Sequence, residues 1–287
     1  MFEEHRGLLY GLAYRMLGSA ADAEDVVQDA YLRWRGADID RIATPPAWLA
    51  TVVTNLCRNR LTSARARRER YTGPWLPEPV PTADGALGPL ETVERRDSVS
   101  LGLLHLLERL TPAERAAFVL RTAFGYGHRD IAGVLDVEEA HARQLYRRAR
   151  ARVDAAERRF PVDPARHRDV VERFYAAVLH GDLPGLERLL ADDVTSWADG
   201  GGRETAARHP VTGRARVARY LTGLAAHPRA VGVTATVAEV NGAPALVVRQ
   251  DGELRAIMVA DAAGGRVIGV RTVVNPDKLA FAAARLG

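Results

Sequence analysis

Residues 110–153 read LTPAERAAFVLRTAFGYGHRDIAGVLDVEEAHARQLYRRARARV, and this stretch decides how the front half of the chain folds. Thr111 precedes Pro112, and Glu114 follows three residues after the threonine. That is a capping box with proline at the first helical position, so a helix opens here. HRDIAGVLDV then reads as a short helix ended by a turn at Asp136-Val137, and a long basic helix follows. In that last helix Ala142, Leu145, Ala149 and Val153 recur at helical spacing and form the core side. Arg143, Gln144, Arg147 and Arg148 therefore point largely elsewhere. Short helix, tight turn and basic helix make a helix-turn-helix. Arginine forks suit guanine O6/N7, glutamine suits adenine N6/N7, and further arginines suit phosphates. The expected ligand of this segment is double-stranded DNA.

Upstream, the first seventy residues also read as helices. Leu8, Leu9, Leu12 and Met16 follow helical spacing up to Gly18, and Asp22 is the expected N-cap of the next helix. There Val26, Val27, Ala30, Tyr31 and Trp34 form one stripe, and Glu24, Asp25, Gln28 and Asp29 form the opposite face. A third helix enters at Pro45-Pro46 and buries Trp48, Leu49, Val52, Val53, Leu56 and Leu61. Charge is unevenly spread. Residues 1–57 carry five arginines against eight acids, whereas 58–70 carry six against one and 143–152 carry five against none. Two separate basic segments suit one polyanion met twice, although each could also be a solvated face.

Residues 71–97 open on YTGPWLPEPVP, a proline-rich connector that cannot continue a helix, yet holds Trp75 and Leu76. Beyond residue 160 the character changes. Residues 169–194 read as two helices joined at Gly181, and 213–227 as a third. Four alternating apolar strands follow, with hairpin turns at Asn241-Gly242, Asp251-Gly252 and Gly264-Gly265. Helices followed by an antiparallel meander indicate an α+β domain, distinct from the all-helical front. The expected organisation is 1–70, 71–97, 98–160 and 161–287.

Composition sets the outer bounds. The 287 residues suggest two or three domains, and 47% hydrophobic with 26% charged residues is ordinary globular composition. The net charge is only +4, and Lys278 is the single lysine beside 39 arginines, a pattern we read mainly as GC-rich coding. Cys57 is the single cysteine, which excludes a disulfide framework or cysteine metal cage and reads as a buried helix residue. No apolar run approaches the roughly 18 residues of a membrane span, and no signal peptide is legible. The expectation is a cytoplasmic protein without membrane contact, cofactor or metal.

The front half resembles a sigma factor of the extracytoplasmic-function type within the sigma-70 family. AEDVVQDAYLRW (Ala23–Trp34) resembles the region 2 helix that binds core RNA polymerase. PPAWLATVVTNLCRNRLTSARARRE resembles the part of region 2 that opens and reads the −10 element, and residues 110–153 resemble region 4, which reads the −35 element. The resemblance implies core polymerase contact through Glu24, Asp25, Gln28 and Asp29. It implies −10 contact through Asn55, Arg58 and Arg60, and −35 contact through Arg143, Gln144, Arg147 and Arg148. Asp130, Glu138 and Ala142 depart from the family's usual Glu, Ser or Thr, and Val, which bears on −35 preference more than on fold.

The back half resembles the SnoaL-like branch of the cone-shaped fold shared with ketosteroid isomerase and nuclear transport factor 2. Sigma factors with this extension share a WLPEP connector, a DGGGK loop and a terminal NPDKL. Here these are Trp75–Pro79, DGGGR (Asp199–Arg203) and Asn275–Leu279. The resemblance makes Trp75, Leu76, Asp199, Gly200, Gly201, Asn275, Asp277 and Lys278 candidate regulatory residues, with the connector expected to dock on the C-terminal domain through Trp75. Each motif also has a plainer reading: Asn275 can cap a helix begun by Pro276, and three glycines can be a mere turn. The fold also raises rival functions, a small ligand in the C-terminal cavity, or isomerase-like acid–base catalysis by Asp199 or His209. A DNA-binding repressor with a ligand domain is a third alternative.

Overall fold

A computed structural model describes residues 2–68, 71–83, 85, 87, 98–157 and 164–286, without the side chains of 64–68, 156, 157, 164–166 and 229. The expectations that rested on the side chains of the arginines at 65, 67 and 68, on Arg70 and on residues 88–97 fall outside what is described. The chain divides into two compact units, Met1–Arg70 with Thr82–Ala156, and Tyr71–Pro81 with Glu157–Gly287.

In the first unit, α1 (Phe2–Leu17), α2 (Ala20–Arg35) and α3 (Pro45–Arg68) bury Leu9, Leu12, Met16, Val26, Ala30, Leu49 and Val53 against one another. Each of the Leu, Met and Val side chains is worth about 1.5–3 kcal/mol when fully buried, and Ala30 correspondingly less. Leu8 does not join them and is 44% exposed, one position off the stripe that Leu9, Leu12 and Met16 define. The N-cap of α2 is Ser19 rather than Asp22: the serine hydroxyl accepts the Asp22 N–H, so Asp22 occupies the first turn as an acid favoured by the helix dipole.

The same unit holds α4 (Leu101–Leu107), α5 (Pro112–Phe124), α6 (His128–Leu135) and α7 (Glu139–Glu157). The capping box at Thr111 and Glu114 forms as its spacing implies. Asp130 accepts the Gly127 N–H at 2.9 Å and so opens α6. Asp136 ends α6 in the left-handed region at φ +55°, which an aspartate tolerates better than most residues. Ala142, Leu145, Ala149 and Val153 are all buried, so the apolar side of α7 is the side its spacing picks out.

Two buried arginines link the earlier helices of this unit to the later ones. Arg115 on α5 donates to the Met16 carbonyl at 2.8 Å and to the Leu107 carbonyl at 2.9 Å, and pairs with Glu108. Both carbonyls sit in the last turns of helices, α1 and α4, where unmatched acceptors and the dipole favour a cation. Burial lowers the Arg115 pKa to about 9, which still leaves it charged near neutrality. In the other direction, Arg15 on α1 donates to the Ser98 hydroxyl at 2.9 Å and lies 5.6 Å from the centre of the Phe124 ring on α5.

In the second unit, α8 (Pro164–Leu179), α9 (Leu183–Leu189) and α10 (Arg214–Ala225) cover one face of a six-stranded sheet. Its strands are β1 (Leu190–Asp199), β2 (Val211–Thr212), β3 (Val233–Val240), β4 (Ala243–Gln250), β5 (Glu253–Ala263) and β6 (Arg266–Val273), followed by α11 (Pro276–Leu286). The order is β2-β1-β6-β5-β4-β3. The three hairpin turns fall at the expected dipeptides. Asn241-Gly242 and Asp251-Gly252 carry positive φ at both residues, as a type I′ turn requires.

The sheet corrects two expectations. Residues 190–194 are strand, not the end of a helix, because Leu190 and Val194 enter the core while Asp192 and Asp193 stay exposed. The sheet is mixed rather than a pure meander, since β1 pairs parallel with β6. That pairing sets Asp199 opposite Val273, so the end of β1 lies beside the segment that enters α11. Inside, the Tyr175 hydroxyl lies 3.0 Å from the carbonyls of Pro244 and Met258 and accepts the Ala260 N–H, fixing α8 to β4 and β5.

Candidate functional site

The parallel pairing of β1 and β6 builds the C-terminal cluster. The Asp199 carbonyl accepts the N–H groups of Val274 and Asn275, both at 2.9 Å, which locks the DGGGR loop against NPDKL. Asn275 accepts the Asp277 N–H at 3.1 Å and caps α11, so its helix-entry reading holds alongside a second contact: its Nδ2 donates to the Tyr71 hydroxyl at 2.8 Å. Lys278 then faces back from the first turn of α11 into the sheet end, where it is 7% exposed.

The connector segment 71–81 enters this cluster. Asp199, wholly buried, accepts three hydrogen bonds: from the Tyr71 hydroxyl at 2.6 Å, the Leu76 N–H at 2.8 Å and Lys278 Nζ at 2.7 Å. Lys278 also donates to the Leu76 carbonyl, and its ammonium sits 4.0 Å from the Trp75 ring centre and 4.8 Å from that of Tyr71. One buried lysine is thus shared by a carboxylate, a carbonyl and two aromatic faces, a combination that can carry a buried charge. Burial, followed by the hydrogen bond to Asp199, pushes the Tyr71 phenol up, so it remains a donor. Leu76 is fully buried, whereas Trp75 is half-buried.

The glycines have a steric reason. Gly201 sits at φ +59°, and a Cβ there would come 2.2 Å from Asn275 Nδ2 and 2.8 Å from the Tyr71 hydroxyl. At Gly200 a Cβ would come 2.3 Å from the Glu204 carbonyl. Asp277 is exposed and pairs with Arg203 at 3.2 Å. Two further contacts were not read from the motifs. The Val80 N–H donates to Asn241 Oδ1 and the Asn241 N–H to the Val80 carbonyl, both at 2.9 Å, and Pro81 bridges Val240 in antiparallel fashion. The hairpin asparagine that gave the turn signal therefore also holds the connector, a role turn chemistry alone does not reveal. Nothing in the local sequence of Tyr71 distinguishes it, since its partners Asp199 and Asn275 lie 128 and 204 positions away.

In the helical unit, Glu24, Asp25 and Gln28 are exposed and Asp29 partly so, on the face of α2 opposite Val26 and Ala30. Asn55 and Arg58 are joined at 3.2 Å on α3. Arg60 is not an open cation. It pairs with Asp22 at 3.1 Å, Asp25 at 3.1 Å and Asp29 at 3.4 Å, tying α3 to the acidic side of α2. Trp48 packs at 5.8 Å from Trp34, and Cys57 is fully buried with its thiol pushed up by burial. On α7, Gln144 and Arg147 are exposed, and Arg143 pairs with Glu139 in the same helix at 3.0 Å. Arg148 instead pairs at 3.0 Å with Glu114 of α5, whose carboxylate is almost wholly buried and also takes Arg152. His209 is exposed, and Asp199 has its oxygens committed to the three donors named above.

A helix-turn-helix behind a three-helix unit with an acidic face, joined to an α+β domain, defines the class: a multidomain DNA-binding protein of the sigma type. Residues 1–67 match Sigma-70 region 2, residues 100–153 match Sigma-70, region 4, and residues 171–274 match the SnoaL-like domain. The chain is 40% identical to the ECF RNA polymerase sigma factor SigJ of Mycobacterium tuberculosis, over 96% of this chain and 91% of that one. It is 32% identical to the probable ECF RNA polymerase sigma factor SigI of the same species, over 99% and 95%. The crystal structure of M. tuberculosis SigJ superposes with a TM-score of 0.79 at 38% identity, covering 98% of this chain and 97% of that one. The chain belongs to the ECF sigma factors of RNA polymerase, in the form that carries a C-terminal SnoaL-like domain. It directs promoter-specific initiation of transcription, and sigma factors are not enzymes. Among the described residues no helix is long and apolar enough to cross a membrane.

Proposed function

We propose that the SnoaL-like domain regulates this sigma factor in cis by gripping the connector between region 2 and region 4. The observation that carries the reading is the Asp199 carboxylate, which accepts Tyr71, Leu76 and Lys278 at once. The segment 71–81 is part of the covalent path between the two DNA-binding regions, so a grip on it limits how they can part. Tethering makes that grip effective without a separate inhibitor, since linkage raises local concentration toward the millimolar range.

In this reading Glu24, Asp25, Gln28 and Asp29 meet a basic surface of core polymerase, and Asn55 and Arg58 contact −10 DNA. Arg60 first holds the acidic face through three carboxylates. Gln144 and Arg147, with Arg143, face the −35 element. A domain boundary within the connector, at Pro81, accords with the separate units. A small ligand or a catalytic role for the C-terminal domain is the weaker reading, because Asp199 already serves three donors. The protein acts in this scheme in the cytoplasm, beside polymerase and promoter DNA.

The test is run-off transcription with core polymerase by the full chain, by its Asp199→Ala variant and by residues 1–160. The regulated reading expects both altered proteins to differ severalfold from the full chain on the same promoter. Equal transcript from all three sinks it.

A further inference from the structure

We infer that Glu114 is a positioning residue for promoter reading: it takes Arg148 and Arg152 away from the DNA and leaves base recognition to Gln144 and Arg147. The inference rests on the proposed −35 role of α7 and sharpens it. Glu114 closes the capping box of α5, where Thr111 N–H donates to Oε2 at 3.1 Å. The same carboxylate accepts Arg148 at 3.0 Å through Oε1 and Arg152 through Oε2, although its side chain is only 3% exposed. A carboxylate so buried is held by its donors, and it holds them in return.

The helical geometry points the same way. With about 100° per residue, the core side of α7 is set by Ala142, Leu145, Ala149 and Val153. On an ideal helix, Gln144 and Arg147 lie within about 35° of the direction opposite that core. Arg148 and Arg152 lie roughly 75° and 115° away from it, on the flank toward α5. Among the described residues Arg147 forms no ion pair, whereas Arg143 pairs with Glu139 and Arg150 with Asp154. The polar side chains aimed most nearly outward, beside Ala140 and Ala151, are thus one glutamine and one arginine outside any ion pair, the forks that suit adenine and guanine edges.

The experiment uses holoenzyme, reconstituted from the full chain and core polymerase, on a promoter library with a fixed −10 element and a randomised −35 element. Arg147→Ala is expected to lose discrimination at one −35 position by about 5- to 150-fold. Arg148→Gln is expected to keep the wild-type −35 preference. Glu114→Gln frees two arginines for phosphates, so the slope of log affinity against log salt steepens by about 1 to 2. Mere loss of stability does not move that slope. If Arg148→Gln erases a base preference as Arg147→Ala does, Arg148 reads DNA and the inference fails. An unchanged slope in a folded Glu114→Gln protein also overturns it. If none of Gln144→Ala, Arg147→Ala and Arg148→Gln alters −35 preference, the −35 role of α7 itself fails. Arg148→Gln changes a half-exposed side chain, so it keeps the test decisive even if Glu114→Gln does not fold.

Discussion

Arg115 in the helical unit and Lys278 in the C-terminal unit are both buried cations, and they are satisfied by different partners. Arg115 rests mainly on neutral acceptors, the Met16 and Leu107 carbonyls at the ends of two helices, with Glu108 as its ion-pair partner. Lys278 rests on a wholly buried carboxylate, one carbonyl and two aromatic faces. Helix ends exist for reasons of their own, so an arginine can exploit them without importing a buried anion. The strand end offers few spare acceptors, and a buried ammonium there needs Asp199. The expected consequence is an asymmetry: the C-terminal cluster loses most when one side of its buried charge pair is removed, whereas the helical seam loses less.

The largest expected effect tests that asymmetry directly. Asp199→Ala strands Lys278, and breaking one side of a buried pair costs about 3–5 kcal/mol. Calorimetry of the full chain should show the C-terminal transition falling, and the double variant Asp199→Ala, Lys278→Met should recover part of the loss. If the double variant is no better than the single one, the cluster is not charge-coupled. Arg115→Met comes next at about 2–4 kcal/mol, because it leaves two neutral carbonyls unmatched and takes the cation from Glu108, a carboxylate less deeply buried than Asp199. A larger loss than for Asp199→Ala would reverse the comparison.

Gly201→Ala is expected to cost about 1–2 kcal/mol for the left-handed backbone alone, and more for the clash with Asn275 and Tyr71. Loosening of the connector should appear as a red shift of Trp75 fluorescence, read in a chain whose other tryptophans are replaced by phenylalanine. Tyr71→Phe removes one buried donor and should cost about 1–2 kcal/mol. The smallest effect is expected for Asp25→Asn, below about 1 kcal/mol, since Arg60 keeps Asp22 and Asp29 and the site is partly solvated.

Glu114 adds a pH dependence confined to the helical unit. Burial works against its ionised form, but the Thr111 N–H and the Arg148 guanidinium outweigh burial and hold the carboxyl below its usual range. A depressed folded-state pKa contributes stability that is present above the unfolded value, about 4.3, and lost as pH falls through the folded one. Acid titration of Glu114→Gln should lack that part of the loss.

Local signals carried much of the helical unit into the sequence reading. Capping at Thr111, the short helix before Asp136 and the stripe from Ala142 to Val153 all depend on neighbours within a few turns, so spacing exposes them. The same holds for the hairpins at Asn241 and Asp251, where positive φ restricts the residue choice. Local spacing missed one near competitor and several partners far along the chain. Ser19, three residues upstream, takes the cap from Asp22, and Arg60 and Arg148, expected at DNA, also face carboxylates 31 to 38 and 34 positions away. The first half of β1, residues 190–194, reads as the end of a helix because LLADDV has too little alternation to outweigh the preceding helix, and its parallel partner 77 positions on, Val267 beside Leu190, makes it a strand.

By itself, then, the sequence determined the helices, the hairpins, the helix-turn-helix and, through its motifs, the family. Those features are set by short-range backbone preferences and by apolar periodicity, both written in contiguous residues. The tertiary structure alone decided which charges are spent. It brings Tyr71 and Leu76 to Asp199 across more than a hundred residues, and Arg148 to Glu114 across 34. Coulomb attraction and hydrogen bonding depend on distance in space, and no spacing along the chain encodes that distance until β1 has paired with β6 and α7 has packed on α5.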